Sequence, residues 1–181
     1  MNLLRQKYQE QIVPKLQEEL GLKHAMAVPK LVKITINTSS RDFHHDKELL
    51  DNSKEWLAAI TGQAPKVTVA KKAIAGFNLR EGDLVGLSVT LRGDRMYDFY
   101  QKLVDVVLPQ TKDFQGVKRT SFDGQGSYTL GLNEQIIFPE VEYDKIKRIQ
   151  GLEISISTSA RDPKGAALLL THLGMPFAKE E

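Results

Sequence analysis

TGQAPKVTVAKKAIAGFNLREGDLVGLSVTLRGDR, Thr61 to Arg95, holds two alternating runs with a loop between them. The first run covers about Lys66 to Lys72 and the second about Leu84 to Arg92. In the second, Val85, Leu87, Val89 and Leu91 fall on one side of an extended chain, and Gly86, Ser88, Thr90 and Arg92 fall on the other. A strand written this way has one buried face and one face in water. The loop, Ala73 to Asp83, carries Gly76 and Gly82 as hinges and an exposed-looking Phe77. From Thr61 to Arg80 there are four cations, Lys66, Lys71, Lys72 and Arg80, and no acidic residue. Such a cationic, projecting loop suits contact with a polyanion. About half of such basic runs are only solvated strand ends and turns.

The same alternation recurs on either side. In LVKITIN, Leu31 to Asn37, Val32, Ile34 and Ile36 share one face, and Lys33, Thr35 and Asn37 share the other. In LEISIST, Leu152 to Thr158, Leu152, Ile154 and Ile156 alternate with Glu153, Ser155 and Ser157. Helices separate these strands. Asp46 caps one that runs to about Ile60, with Leu49, Leu50, Ser53, Trp56, Leu57 and Ile60 inward and Gly62 as the stop. Asp94 is expected to cap the next, which Pro109 should end after Leu108. The last starts at Asp162 and Pro163 and closes at Gly174. At the N-terminus Leu4, Tyr8, Ile12, Leu16 and Leu20 form one helical stripe, and Pro14 should kink or break it. Residues 110–143 read as irregular or hairpin structure, punctuated by Gly116, Gly124, Gly126 and Gly131.

This order of elements is mixed without strict alternation. It predicts a single α+β domain over residues 1–181, with a largely antiparallel sheet, helices on one face and the other face open. The open face collects Lys33, Thr35, Asn37, Ser88, Thr90, Arg92, Ser155 and Ser157. Short hydroxyl and amide side chains let a nucleic-acid backbone come close and receive hydrogen bonds at phosphate or 2′-OH. An open sheet is also polar simply because it is wet, and on the residues alone that reading weighs about twice as much.

Other chemistry finds little support. The net charge of +2 neither demands nor excludes nucleic acid. The absence of cysteine removes disulfides, thiolate metal sites and thiol nucleophiles, and fits a reducing cytoplasm. No apolar run approaches the roughly 20 residues that span a bilayer, and MNLLRQKYQEQ turns polar too soon for a secretory signal. His44 and His45 are adjacent and expected to point apart, while His24 and His172 have no partner at a metal spacing, so all four read as solvated. Phe122 to Gly126 reads as a turn, since no GKS/T follows. The carboxylates Glu134, Glu140, Glu142 and Asp144 form no acid–base pattern, and no G-x-S-x-G is present. No metal, no cofactor and no enzymatic activity are expected. The rival from the enzyme class is a small transferase using the same face as a substrate platform.

Taken together, VPKLVKITIN, KELLDNSKEWLAAITGQAPKVTVAKKAIAGFNLREGDLVGLSVTLRGDRMYDF, SFDGQGSYTLGLNEQIIFPEVEYDKI and GLEISIST resemble, in order, one family. It is the bacterial-type large-subunit ribosomal protein five family, which binds 5S ribosomal RNA. The resemblance runs from about Tyr8 to Phe177. It implies a non-catalytic, cytoplasmic ribosomal role, anchoring 5S ribosomal RNA in the central protuberance through the open sheet face, beside large-subunit ribosomal RNA and neighbouring ribosomal proteins. Matching the family motifs residue by residue makes Asn37, Gln63 and Thr90 the expected 5S contacts, with Thr35 and Arg92 from the same face. It sets Lys71, Lys72, Phe77, Asn78, Leu79 and Arg80 beside peptidyl-site transfer RNA. It also implies a bridge to small-subunit protein thirteen from within residues 110–145.

Two stretches depart from the family pattern. INTSSRDFHHD stands where a glycine-rich LNxGVGEA-like turn is common. VAKKAIAGFNLR has Val69 and Asn78 where basic residues are frequent, which implies a weaker or differently shared transfer-RNA contact. The alternative within the RNA-binding class is a regulator outside the ribosome on the same scaffold.

Overall fold

A computed structural model describes residues 3–178 of the chain. Five strands, β1 (Leu31–Ser39), β2 (Lys66–Val69), β3 (Leu84–Leu91), β4 (Tyr128–Leu132) and β5 (Leu152–Thr158), form one antiparallel sheet in the order β2-β3-β1-β5-β4. Together with its helices this is the expected α+β class. The chain divides into two compact units, one from residues 1–34, 91–130 and 155–181 and one from residues 35–90 and 131–154.

In the first unit the N-terminal stripe becomes a single run of helix rather than two. α1 (Leu3–Lys7) passes through a π-helical turn, Tyr8–Ile12, into α2 (Val13–Glu19). Pro14 therefore does not break it. The amide of Val13 reaches back five residues to Tyr8, so Pro14 follows a widened turn rather than a regular α-helical one. The same device answers the expectation about Pro109. α4 (Gly93–Lys102) continues through a π-helical turn, Leu103–Val107, into α5 (Leu108–Gln110), and Pro109 sits inside that last turn.

Gly21, with φ +61°, ends α2: its amide bonds Glu18 O and the next amide bonds Gln17 O, which satisfies two terminal carbonyls. Asp94 is in the first turn of α4 and not at its cap. Arg5 holds its carboxylate at 2.6 Å, and that hydrogen bond keeps the Asp94 carboxyl below the usual carboxylate range. Tyr8 donates to the Pro29 carbonyl at 2.8 Å, and burial pushes its phenol up to about 12. α6 (Pro163–His172) begins as expected, with the Asp162 side chain accepting from the Gly165 amide.

In the second unit α3 (Lys47–Thr61) matches its sequence reading closely. Asp46 accepts from the Leu49 amide at 3.0 Å, Gly62 turns left-handed at φ +65°, and Leu49, Leu50, Ser53, Trp56, Leu57 and Ile60 are all buried. The segment after β4, within the irregular stretch, is pinned by a buried polar cluster. Gln135, fully enclosed, donates to the Arg148 carbonyl at 2.7 Å and accepts from the Gln150 amide at 2.5 Å. The Gln150 side chain meets Ser53 on α3 at 3.2 Å. Among the described residues no helix is long and apolar enough to cross a membrane.

Candidate nucleic-acid interface

The alternation read from sequence sets the two sides of the sheet. Ile36, Leu87 and Val89 are 0%, 1% and 2% exposed, whereas Thr35, Asn37 and Ser88 are half-buried and Thr90 is exposed. β-Strand geometry sends successive side chains to opposite faces, so this pattern leaves the hydroxyl and amide groups accessible. Ser155 and Ser157 on β5 are likewise half-buried. Val32 departs from its expected inward face and is 38% exposed, whereas Leu31 before it is buried.

The antiparallel register of β2 on β3 adds Thr68, which sequence reasoning missed, and gives a face to Lys66, which it read only as one of four cations. Lys66 lies opposite Ser88 and Thr68 opposite Gly86. Directly opposite residues share a face, so Lys66 and Thr68 join the polar side. The clue was the two-residue period of KVTV, which the reading used for a strand but not for a face. Asn37, Ser39, Thr68, Gly86 and Glu153 line an open trough of about 480 Å³. A Cβ on Gly86 would lie 2.8 Å from the Thr38 carbonyl oxygen and 3.0 Å from Thr68 Oγ1, so the floor of the trough requires glycine. The Glu153 carboxylate repels phosphate there. That end of the trough suits sugar hydroxyls and base amino groups.

Gln63 is brought to Thr90. Gly62 turns the chain out of α3, and Gln63 Nε2 then donates to the Thr90 carbonyl at 3.3 Å, leaving its side-chain oxygen as an acceptor beside the end of β3. Arg92, one residue past β3, is exposed and belongs to the other unit.

The loop after β2 is a built hairpin. The strand ends at Val69, before Lys71 and Lys72, which lie on an exposed bend. Ala70 still pairs with the return, donating to Asp83 O at 2.8 Å and accepting from the Gly82 amide at 3.0 Å. Farther out, Ile74 and Leu79 form an antiparallel bridge, with amide-to-carbonyl distances of 2.9 and 3.2 Å. Below it the Asp83 carboxylate accepts from the Arg80 amide at 2.7 Å. Gly82 has φ +90° and is a hinge, but Gly76 is not; Asn78, at φ +52°, takes the left-handed position at the tip. Asparagine tolerates that conformation better than most residues. Phe77 is 62% exposed, and Lys71, Lys72, Asn78 and Arg80 are exposed around it, with Leu79 half-buried.

His24 and His45 are exposed as expected, but His44 and His172 are not simply solvated. His44 and His45 do not point apart: their rings lie 3.6 Å from centre to centre in the 3₁₀ turn Arg41–His44, and His44 is half-buried. His172 is also partnered, 3.1 Å from Glu19. No cluster of three metal-ligating side chains occurs among the described residues.

Two family profiles match the chain. Residues 24–80 match the one described as ribosomal protein L5, and residues 84–177 match the one for the C-terminus of the same ribosomal family. The matches adjoin, and the second alone spans more than half of the 181 residues. The chain belongs to the ribosomal protein L5 family and is a structural constituent of the large ribosomal subunit.

Proposed function

We propose that the chain binds 5S ribosomal RNA on the open polar face around Thr35, Asn37, Gln63 and Thr90, aided by Arg92, and helps attach that RNA in the central protuberance. The hairpin of Lys71, Lys72, Phe77, Asn78, Leu79 and Arg80 contacts peptidyl-site transfer RNA, and later loops meet small-subunit protein thirteen. The observation that carries the reading is the run of accessible hydroxyl and amide groups on strands whose alternate residues are buried. Family membership supports it, and so does the hydrogen-bonded, exposed hairpin with its cations. Nothing in this role asks for catalysis: the side chains position RNA, phosphate contacts supply most of the affinity, and base or 2′-OH contacts supply discrimination.

Separate faces predict separable losses. Lys71→Ala with Lys72→Ala should leave 5S RNA affinity within about twofold. It should weaken transfer-RNA binding and flatten the slope of log K against log salt by about one unit per lysine. Filter binding at several salt concentrations reads both, and a large loss of 5S affinity would reverse the assignment of the two surfaces. Co-sedimentation with large subunits in a sucrose gradient tests the ribosomal placement, and free protein at the top of the gradient would favour a regulator outside the ribosome.

A further inference from the structure

The turn that follows β1 faces the hairpin within the same unit, and the two enclose a cleft. His44 and His45 form one side and Asn78, Arg80 and Asp83 the other, around an open volume of about 710 Å³. That is within the roughly 300–1,000 Å³ of small-ligand clefts. Three features point to its occupant. Arg41 stands over Phe77, its guanidinium carbon 5.8 Å from the ring centre, so the exposed ring is braced by a cation. The two imidazoles, in contact with each other and tilted by 43°, give an angled aromatic wall. Nε2 of His44 is buried and makes no hydrogen bond, which is unusual for a buried polar atom.

A bare phosphate fits this lining poorly, because the Asp83 carboxylate faces it and is only partly neutralised by the Arg80 amide. A nucleotide fits better. Imidazole, amide and carboxylate groups can hydrogen-bond the edge of a base, aromatic rings can stack on its face, and Arg41 and Arg80 can meet its phosphates. We propose that the cleft between the Arg41–His45 turn and the hairpin tip takes one unpaired nucleotide of the RNA that the hairpin touches. The proposal rests on the transfer-RNA reading of the hairpin. It adds Arg41, His44 and His45 as contact residues, on a turn that the sequence reading left without a role.

The test uses the full chain with a transfer-RNA transcript and a 5S RNA transcript. The protein has four histidines, so their ring C–H signals can be followed individually by NMR. On adding transfer RNA the signals of His44 and His45 should shift while those of His24 and His172 stay. His44→Ala with His45→Ala should lower transfer-RNA affinity about tenfold, the size of one lost base–aromatic contact, and leave 5S affinity within about twofold. Suppose instead that transfer RNA binds and the Lys71/Lys72 variant weakens it, yet the histidine signals do not move and the double-histidine variant binds normally. The cleft proposal then falls and the hairpin reading stands. If neither variant changes transfer-RNA binding, the hairpin reading falls and the cleft proposal with it. The NMR arm uses unaltered protein, so misfolding of a variant cannot mask the answer.

Discussion

Gln135→Ala should lower the free energy of unfolding by about 2–4 kcal/mol, because it strips the buried Gln150 amide and the partly buried Arg148 carbonyl of their partner, at about 1–3 kcal/mol for a fully buried group and less for the other. Gln135 is fully enclosed, and its one amide both receives the Gln150 N–H and donates to the Arg148 carbonyl. Water cannot replace it without opening the site. The ion pairs that flank the same segment, Lys147 with Glu48 and Arg148 with Asp42, are surface contacts and contribute far less. Gln135→Glu should also destabilise, since it removes the donor to Arg148 and buries a carboxylate. Urea unfolding followed by the fluorescence of Trp56, the single tryptophan, reads the loss in the unit that holds Gln135. A change below about 1 kcal/mol for the alanine variant, less than one stranded buried group costs, would mean that the segment is held by something else.

Gly116→Ala should cost about 2–5 kcal/mol in the other unit, combining left-handed strain with overpacking. Gly116 has φ +102°, and a Cβ there would sit 2.5 Å from the Ala178 nitrogen and 2.6 Å from its Cα. These are backbone atoms, so no rotamer change relieves the clash. The strands of chain that meet there are tied by Val117 donating to Pro176 O at 2.8 Å and Ala178 donating to Val117 O at 3.0 Å. Phe177 then lies 5.9 Å, centre to centre, from both Phe122 and Tyr128. Forcing the segment off should uncover those rings. The expected result is faster hydrogen exchange at the Val117 and Ala178 amides and a lower unfolding midpoint. Unchanged protection of both amides would contradict the geometry.

Local rules made much of this fold legible. Asp46, Gly62, Asp162 and Pro163 mark helix ends by side-chain or dihedral chemistry that operates within four residues, and each is where the sequence put it. The strand faces followed from a period of two. The misreadings have longer-range causes. Pro14 and Pro109 are breakers of an ordinary α-helix, but each follows a π-helical turn and helix continues through it. Asp94 has the composition of a cap, yet Arg5, distant in sequence, takes its carboxylate. Asn78 rather than Gly76 adopts the positive φ, since the position of the Ile74–Leu79 bridge decides which residue of the tip must turn.

The candidate interface was legible to the same degree. Thr35, Asn37 and Thr90 lie on the polar side because alternation requires it, while Gln63 reaches Thr90 only through the tertiary turn at Gly62. Lys66 and Thr68 needed the β2–β3 register, which no residue pattern fixes alone. The contact between the Arg41–His45 turn and the hairpin depends on chain segments about thirty-five residues apart in the sequence.

The most direct test is a filter-binding titration of 5S RNA against the wild-type chain, Asn37→Ala and Thr90→Ala, with circular dichroism to confirm that all three are folded. If RNA lies against the uncovered strands, each substitution weakens binding by about 1–3 kcal/mol, and transfer-RNA affinity stays level. Full 5S affinity in both folded variants would contradict the account.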